Sequence, residues 1–260
     1  STLDRSSAAS DVYKRQNLVR ASKEQGKSVG DVSLKVLAFS DQLEHPNGVH
    51  TEELAKMIEV GRQLNLIDVR EPEEAELGYI QSSWNIRHPD LRGDGSKLTQ
   101  KGVETILLCF SGNRSSELCE EFVRDGATCR FLVGGYEKWI SEGRSLQLAE
   151  ARSAGELREL ASYPNKDVLL DTPDVKDLVQ NESAVFVDVR YPGDFKLGHL
   201  PGAINIPLRK MPTEELWTTL KELPKVPIIA ACYDKRSSFY GEILGLRLHR
   251  IGYDLSLIHI

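Results

Sequence analysis

Cys109 ends a short apolar run, Thr105-Ile-Leu-Leu108, and is followed by Phe110-Ser-Gly-Asn-Arg114 and Ser115. Leu118, Cys119, Phe122 and Val123 then repeat at helical spacing until Gly126. The order is strand, loop, helix. A cysteine at the C-terminal end of a strand, before a turn and a helix, sits where backbone N–H groups and the positive end of the helix dipole converge. Such a nest favours anions and therefore a thiolate, the reactive form of the side chain. Cys109 is thus a candidate nucleophile. Phe110, Ser111, Gly112, Asn113 and Ser115 are candidate donors of an anion-binding loop, and Arg114 adds positive charge at its far end.

The same arrangement occurs twice. Ile228-Ile-Ala-Ala231 leads to Cys232-Tyr-Asp-Lys-Arg236, so Cys232 and Arg236 form a second, weaker candidate site. Three residues separate its cysteine and arginine against four in the first loop, the glycine is missing, and Asp234 opposes thiolate formation. Upstream, Asp68, Arg70, Leu77, Gly78, Asn85 and Ile86 recur 120 positions later as Asp188, Arg190, Leu197, Gly198, Asn205 and Ile206. A repeat of this length in register is the signature of a duplicated domain.

The elements that must position these loops alternate between strand and helix. A helix is expected from Thr51, which can cap it, with Glu52 and Glu53 in its first turn and Leu54, Met57 and Ile58 on its apolar face. Strands are expected at Leu64–Val69, Thr105–Leu108 and Arg130–Val133, and after the last of these Gly134-Gly135 opens a helix containing Tyr136 and Trp139. In the second copy a helix at Thr172–Gln180 and strands at Ala184–Val189 and Pro227–Ala231 play the matching parts. This alternation predicts an α/β layer fold with a mainly parallel sheet. The expected division is an N-terminal segment at 17–47, a first domain at 48–145, a connector at 146–166 with some helix at Glu150–Ala161, and a second domain at 167–254. That second copy lacks the Gly-Gly and tryptophan-bearing helix of the first and is expected to be truncated. Residues 1–16, with Ser6–Gln16 in particular, and 255–260 resemble translated adapter DNA and are expected to be non-native.

The chain has 260 residues, enough for two domains of roughly 100 residues each. With 40% hydrophobic and 28% charged residues it has the composition of an ordinary globular protein, and its net charge of −6 provides no footprint for nucleic acid. The apolar stretches are of strand length, which predicts no membrane span in this segment, and a cytoplasmic location is the default. Four cysteines without a Cys-x-x-Cys pair or a suitably spaced histidine argue against a metal site and a disulfide framework.

Together, Cys109-Phe-Ser-Gly-Asn-Arg114-Ser115, Asp68-Val-Arg70-Glu-Pro-Glu73 and Gly134-Gly-Tyr-Glu-Lys-Trp139 resemble the rhodanese (sulfurtransferase) family. The second copy adds Asp188-Val-Arg190 and Gly198-His-Leu-Pro-Gly-Ala-Ile-Asn-Ile-Pro207 to the resemblance, which spans residues 48–145 and 167–253. The resemblance implies two domains, each with a central, mainly parallel five-stranded sheet flanked by helices. It also implies a cysteine that takes sulfane sulfur from a small donor such as thiosulfate and passes it, as a persulfide, to cyanide, a thiol or a protein acceptor. No cofactor is implied. In tandem relatives one copy is often catalytic and the other structural, and the intact loop makes the first the expected active one.

Two rival readings accompany this one. A phosphatase of the related dual-specificity type places five residues between cysteine and arginine, one more than the first loop has. The other rival is a non-catalytic module that uses the fold to dock a partner. Individual residues carry plainer readings as well. Asp68 with Arg70 and Asp188 with Arg190 can be supporting pairs that fasten neighbouring loops, and Cys119 and Cys129 read as core. His199 is replaced by Tyr79 in the first copy, and Trp139 reads as a core or interdomain anchor.

Overall fold

A computed structural model describes residues 39–253, apart from 94, 100–101, 150, 171, 182 and 233–237. The expectations for residues 1–38 and 255–260, and those for Tyr233, Asp234, Lys235 and Arg236, lie outside the described residues.

The first domain follows a short helix α1 (Phe39–Leu43). In order it contains β1 (Gly48–Val49), α2 (Thr51–Glu59), β2 (Leu64–Asp68), α3 (Pro72–Ala75), β3 (Ser83–Asn85), α4 (His88–Leu91), β4 (Glu104–Leu108), α5 (Asn113–Arg124), β5 (Arg130–Leu132) and α6 (Gly135–Ser141). The strands form one parallel sheet in the order β1-β5-β4-β2-β3. Its centre is β2 paired with β4 over five residues, from Leu64 opposite Glu104 to Asp68 opposite Leu108. Both central strands are buried almost throughout, as their continuous apolar runs require of a sheet covered on both faces. On one face Leu54, Leu66, Ile106, Leu108, Leu132, Tyr136 and Trp139 pack together; on the other, Ile67, Leu107, Leu118, Phe122 and Phe131 form a second core.

The second domain repeats this plan with α7 (Thr172–Gln180), β6 (Val185–Asp188), α8 (Pro192–Leu197), β7 (Ile204–Asn205), α9 (Thr213–Glu222), β8 (Ile228–Ala231) and α10 (Ser238–Arg250). Its sheet, in the order β7-β6-β8, has three parallel strands among the described residues, against the five expected of each copy. The three are the counterparts of β3, β2 and β4, the part of the sheet that carries the Asp-Val-Arg motif and the cysteine.

Two local expectations change. Helix α2 begins at Thr51, with His50 as its cap residue, and the Thr51 hydroxyl donates instead to Glu142 Oε2 at 2.5 Å. Among the described residues of the connector the helical content contracts to a single 3₁₀ turn at Glu156–Arg158. Leu157 within that turn joins the first domain's core, while Leu160 and Tyr163 join the second's. Among the described residues no helix is long and apolar enough to cross a membrane.

Candidate functional site

Cys109 lies directly after β4, and its Sγ is the focus of the turn that follows. The Gly112 N–H donates to it at 3.1 Å and the Ser115 N–H at 3.4 Å. Ser115 Oγ lies 3.3 Å from the sulfur and 3.1 Å from the Gly112 carbonyl, so its single proton can serve either acceptor. These bonds come from the first turn of α5 and the residue that caps it, where the helix dipole also favours a negative charge. Gly112 takes φ +88°, a conformation open to glycine and strained for other residues, which lets the chain fold back over the sulfur.

The loop is held from two further sides. The carbonyls of Cys109 and Phe110 accept from the N–H groups of Tyr136 and Glu137 at the start of α6, at 3.0 and 2.8 Å. That approach explains Gly135: a Cβ there would stand 2.1 Å from the Cys109 carbonyl oxygen. Gln42 of α1, buried, donates through Nε2 to the Ser111 carbonyl at 3.2 Å and to Asn113 Oδ1 at 3.0 Å, while its Oε1 accepts from the Gly134 N–H at 3.0 Å. One glutamine thus ties the loop to the Gly134–Gly135 turn. Phe110 lies under the guanidinium of Arg158 from the connector, 4.3 Å from the ring centroid, and the same guanidinium is 4.7 Å from Phe239 at the start of α10. Cys109 is 1% exposed, so Gln42 and Arg158 rest on a loop that must open for a reagent to reach the sulfur.

Arg114 is buried and points at Glu74 of α3. Its Nη1 and Nη2 donate to Oε2 and Oε1 of that carboxylate at 2.7 and 2.9 Å. A guanidinium at the start of a helix opposes the dipole and needs an anion; the structure provides it within the protein. Burial by itself would raise the pKa of Glu74, but Arg114 overrides this and holds the carboxyl at about 2. Arg114 feels both this carboxylate and the Cys109 sulfur electrostatically. Glu74 did not stand out in the sequence, since its motif ends at Glu73; its cue was the unexplained arginine at the head of a helix.

The Asp-Val-Arg motifs form a clip that is repeated in both domains. Arg70 bonds Asp68 through Nε and Nη2, at 3.0 and 2.7 Å, and reaches across to the Gly78 carbonyl at 2.7 Å. Arg190 does the same with Asp188 and the Gly198 carbonyl, at 3.0, 2.6 and 2.7 Å. In each copy an asparagine amide, Asn85 or Asn205, bonds the main chain of both clip residues. These four charged residues fasten the loop after the central strand, and in the first domain Arg70 also donates through Nη1 to the Glu74 carbonyl at 3.2 Å.

The remaining candidates separate cleanly. Cys232 follows β8 as Cys109 follows β4 and is half-buried. Cys119 and Cys129 are core residues side by side; the Cys119 thiol next to it, together with burial, pushes the pKa of Cys129 up, away from reactivity. Trp139 packs in the first domain's core with its Nε1 on the Ser145 carbonyl at 3.1 Å. His199 is exposed and stacks on Phe195, 3.8 Å between centroids.

Two segments of the chain, residues 50–142 and 171–257, match the rhodanese-like domain model, together more than half of its length. A putative sulfurtransferase of Bacillus subtilis, YtwF, is 33% identical over 94 residues, which are 36% of this chain and 90% of that protein. Among solved structures, a rhodanese-related protein from Thermoplasma volcanium aligns at 29% identity and a TM-score of 0.36, covering 39% of this chain and 98% of the other. The 3-mercaptopyruvate sulfotransferase SseA of Escherichia coli aligns at 19% identity and a TM-score of 0.33, over 83% of this chain and 98% of its own. With two matches to the domain model and both clips in register, the chain belongs to the rhodanese-like domain family, as a tandem member.

Proposed function

We propose that the first domain is a sulfurtransferase in which Cys109 carries sulfur as a persulfide. The observation that carries this reading is the convergence of Gly112 N–H, Ser115 N–H and Ser115 Oγ on the Cys109 sulfur at the head of α5. Donors aimed at one sulfur stabilise a thiolate before the reaction and the terminal sulfur anion after it. With thiosulfate as donor, the Cys109 thiolate attacks the outer, sulfane sulfur. A new S–S bond forms as the old one breaks, and sulfite leaves with the electron pair. Cyanide or a thiolate then attacks the outer sulfur of the persulfide, and the Cys109 thiolate is regenerated, a two-step covalent cycle. The similarity to a putative sulfurtransferase supports the same class of reaction. Arg114, committed to Glu74, holds the end of the loop and places positive charge near the sulfur.

Incubation with thiosulfate is expected to add one sulfur to the mass of the peptide containing Cys109, and cyanide to remove it as thiocyanate. A Cys109→Ser protein should do neither, and Cys232→Ser should retain both. Undiminished turnover in Cys109→Ser would overturn the assignment. The burial of Cys109 favours a second reading, a docking module whose thiol is never used, and absence of sulfur uptake by the wild-type chain would establish that reading instead.

A further inference from the structure

Helix α3 is a single turn of four residues, too short to hold its place by its own hydrogen bonds, so its position is set by Arg70, which donates to the Glu74 carbonyl at 3.2 Å, and by what its side chains touch. Three of its carboxylates, counting the cap residue Glu71, are buried, and each meets a guanidinium. Glu74 takes Arg114. Glu71 Oε2 takes Arg87 Nε at 2.6 Å and Arg247 Nη2 at 2.7 Å. Glu73 takes Arg247 through Nε at 2.8 Å and Nη2 at 2.6 Å. Arg247 is 2% exposed and belongs to α10, the long helix of the second domain. Arg87 in turn donates to the Leu208 carbonyl at 2.8 Å and to Thr213 Oγ1 at 3.0 Å, both in the second domain.

The contacts then run on toward the sulfur. The N–H of Glu71 donates to Glu74 Oε2 at 3.1 Å, the same oxygen that accepts from Arg114 Nη1 at 2.7 Å. Arg114 is the residue between Asn113 and Ser115, and Ser115 bonds the Cys109 sulfur. We propose that Arg247 is a positioning residue of the second domain for the Cys109 loop, acting through Glu71 and Glu73 on α3 and from there through Glu74 on Arg114. It touches neither donor nor sulfur. Without it, Glu73 would keep only the half-exposed Arg250, 3.8 Å away, and the turn that orients Glu74 would lose its tie to the core of the second domain. This rests on the reading of Cys109 as the reacting residue, and it gives the second domain a task in the first domain's chemistry whatever its own loop does.

The test uses the full chain with Arg247→Met, Arg247→Lys and, as a control, Lys56→Ala, whose parent residue pairs with Glu52 on the exposed face of α2. Two readouts are taken: amide hydrogen exchange in the peptide spanning residues 109–115, and single-turnover sulfur loading from thiosulfate. In Arg247→Met, exchange in that peptide should quicken at least threefold while strand β2 keeps its protection. The maximal loading rate should fall at least threefold at an unchanged half-saturating thiosulfate concentration. Arg247→Lys should recover part of both effects, Lys56→Ala should match wild type, and in a Glu74→Gln background Arg247→Met should add nothing further. If Arg247→Met does not fold, Glu73→Gln/Arg247→Met removes the stranded carboxylate and takes its place. Wild-type exchange and loading in a folded Arg247→Met or Glu73→Gln/Arg247→Met protein would overturn the proposal, as would equal acceleration of exchange in β2. A wild-type chain that loads no sulfur would instead sink the sulfurtransferase reading, and the exchange experiment would still decide this one.

Discussion

Replacing Glu74 by glutamine keeps the side chain's size and removes the charge that Arg114 faces. A carboxyl held at about 2 in the folded protein, against an ordinary value of 4.5, is stabilised in its ionised form by about 3 kcal/mol. This agrees with the cost, about 3–5 kcal/mol, of removing one partner from a buried ion pair. Because the folded carboxyl is the stronger acid, its contribution is fully present above pH 4.5 and is lost as the pH falls from about 4.5 to about 2. Urea unfolding followed by tryptophan fluorescence, with Trp84 and Trp139 reporting on the first domain, measures both proteins across this range. Glu74→Gln should be less stable by about 3 kcal/mol at pH 7, and the gap should close as the pH falls toward 2. Comparing the two proteins cancels every other titrating group. A gap that stays constant from pH 7 to pH 2, or is absent at pH 7, would refute the argument that the Glu74–Arg114 pair anchors the loop.

Three other outcomes follow from the same geometry. Gln42→Ala removes three hydrogen bonds between α1, the loop and the Gly134 turn, worth about 1 kcal/mol each, so iodoacetamide should label Cys109 several-fold faster than in wild type; an unchanged rate would show that Gln42 is no clamp. Gly135→Ala drives a methyl into the Cys109 and Phe110 carbonyls at a residue with φ +58°, and should cost about 3 kcal/mol or more in thermal or urea unfolding while abolishing sulfur loading; wild-type stability would contradict the contact. His88 is held at about 3, chiefly by burial, so its ring resonances in NMR should not move between pH 8 and pH 5, and its neutral form contributes stability that is lost as the pH falls from about 6.5 to about 3; a midpoint near 6.5 would show the ring to be solvated.

The features legible in the sequence are those that are local or that recur. The Cys109 loop declares itself over seven consecutive residues, and the Asp-Val-Arg clips because Asp68 and Arg70 reappear as Asp188 and Arg190. Strands β2, β4 and β8 are long enough for an apolar run to show. By contrast β1, β3 and β7 have two or three residues, too few for any periodicity, and exist because a neighbouring strand pairs with them. The residues missed at the site are those whose meaning lies far along the chain. Gln42 meets Ser111 across 69 positions and Arg247 meets Glu73 across 174, and no local pattern marks either residue. Arg114 was legible as an arginine in want of an anion, but which anion answers it depends on where α3 docks.

The twin clips repeat one fastening in both halves of the chain. Asp–Arg–glycine bonding secures the loop after the central strand in each domain, and in the first the same arginine holds the main chain of Glu74, whose carboxylate meets Arg114. A daughter copy that retains its clip keeps this framework while the length of its cysteine loop drifts, which is the freedom that gene duplication needs.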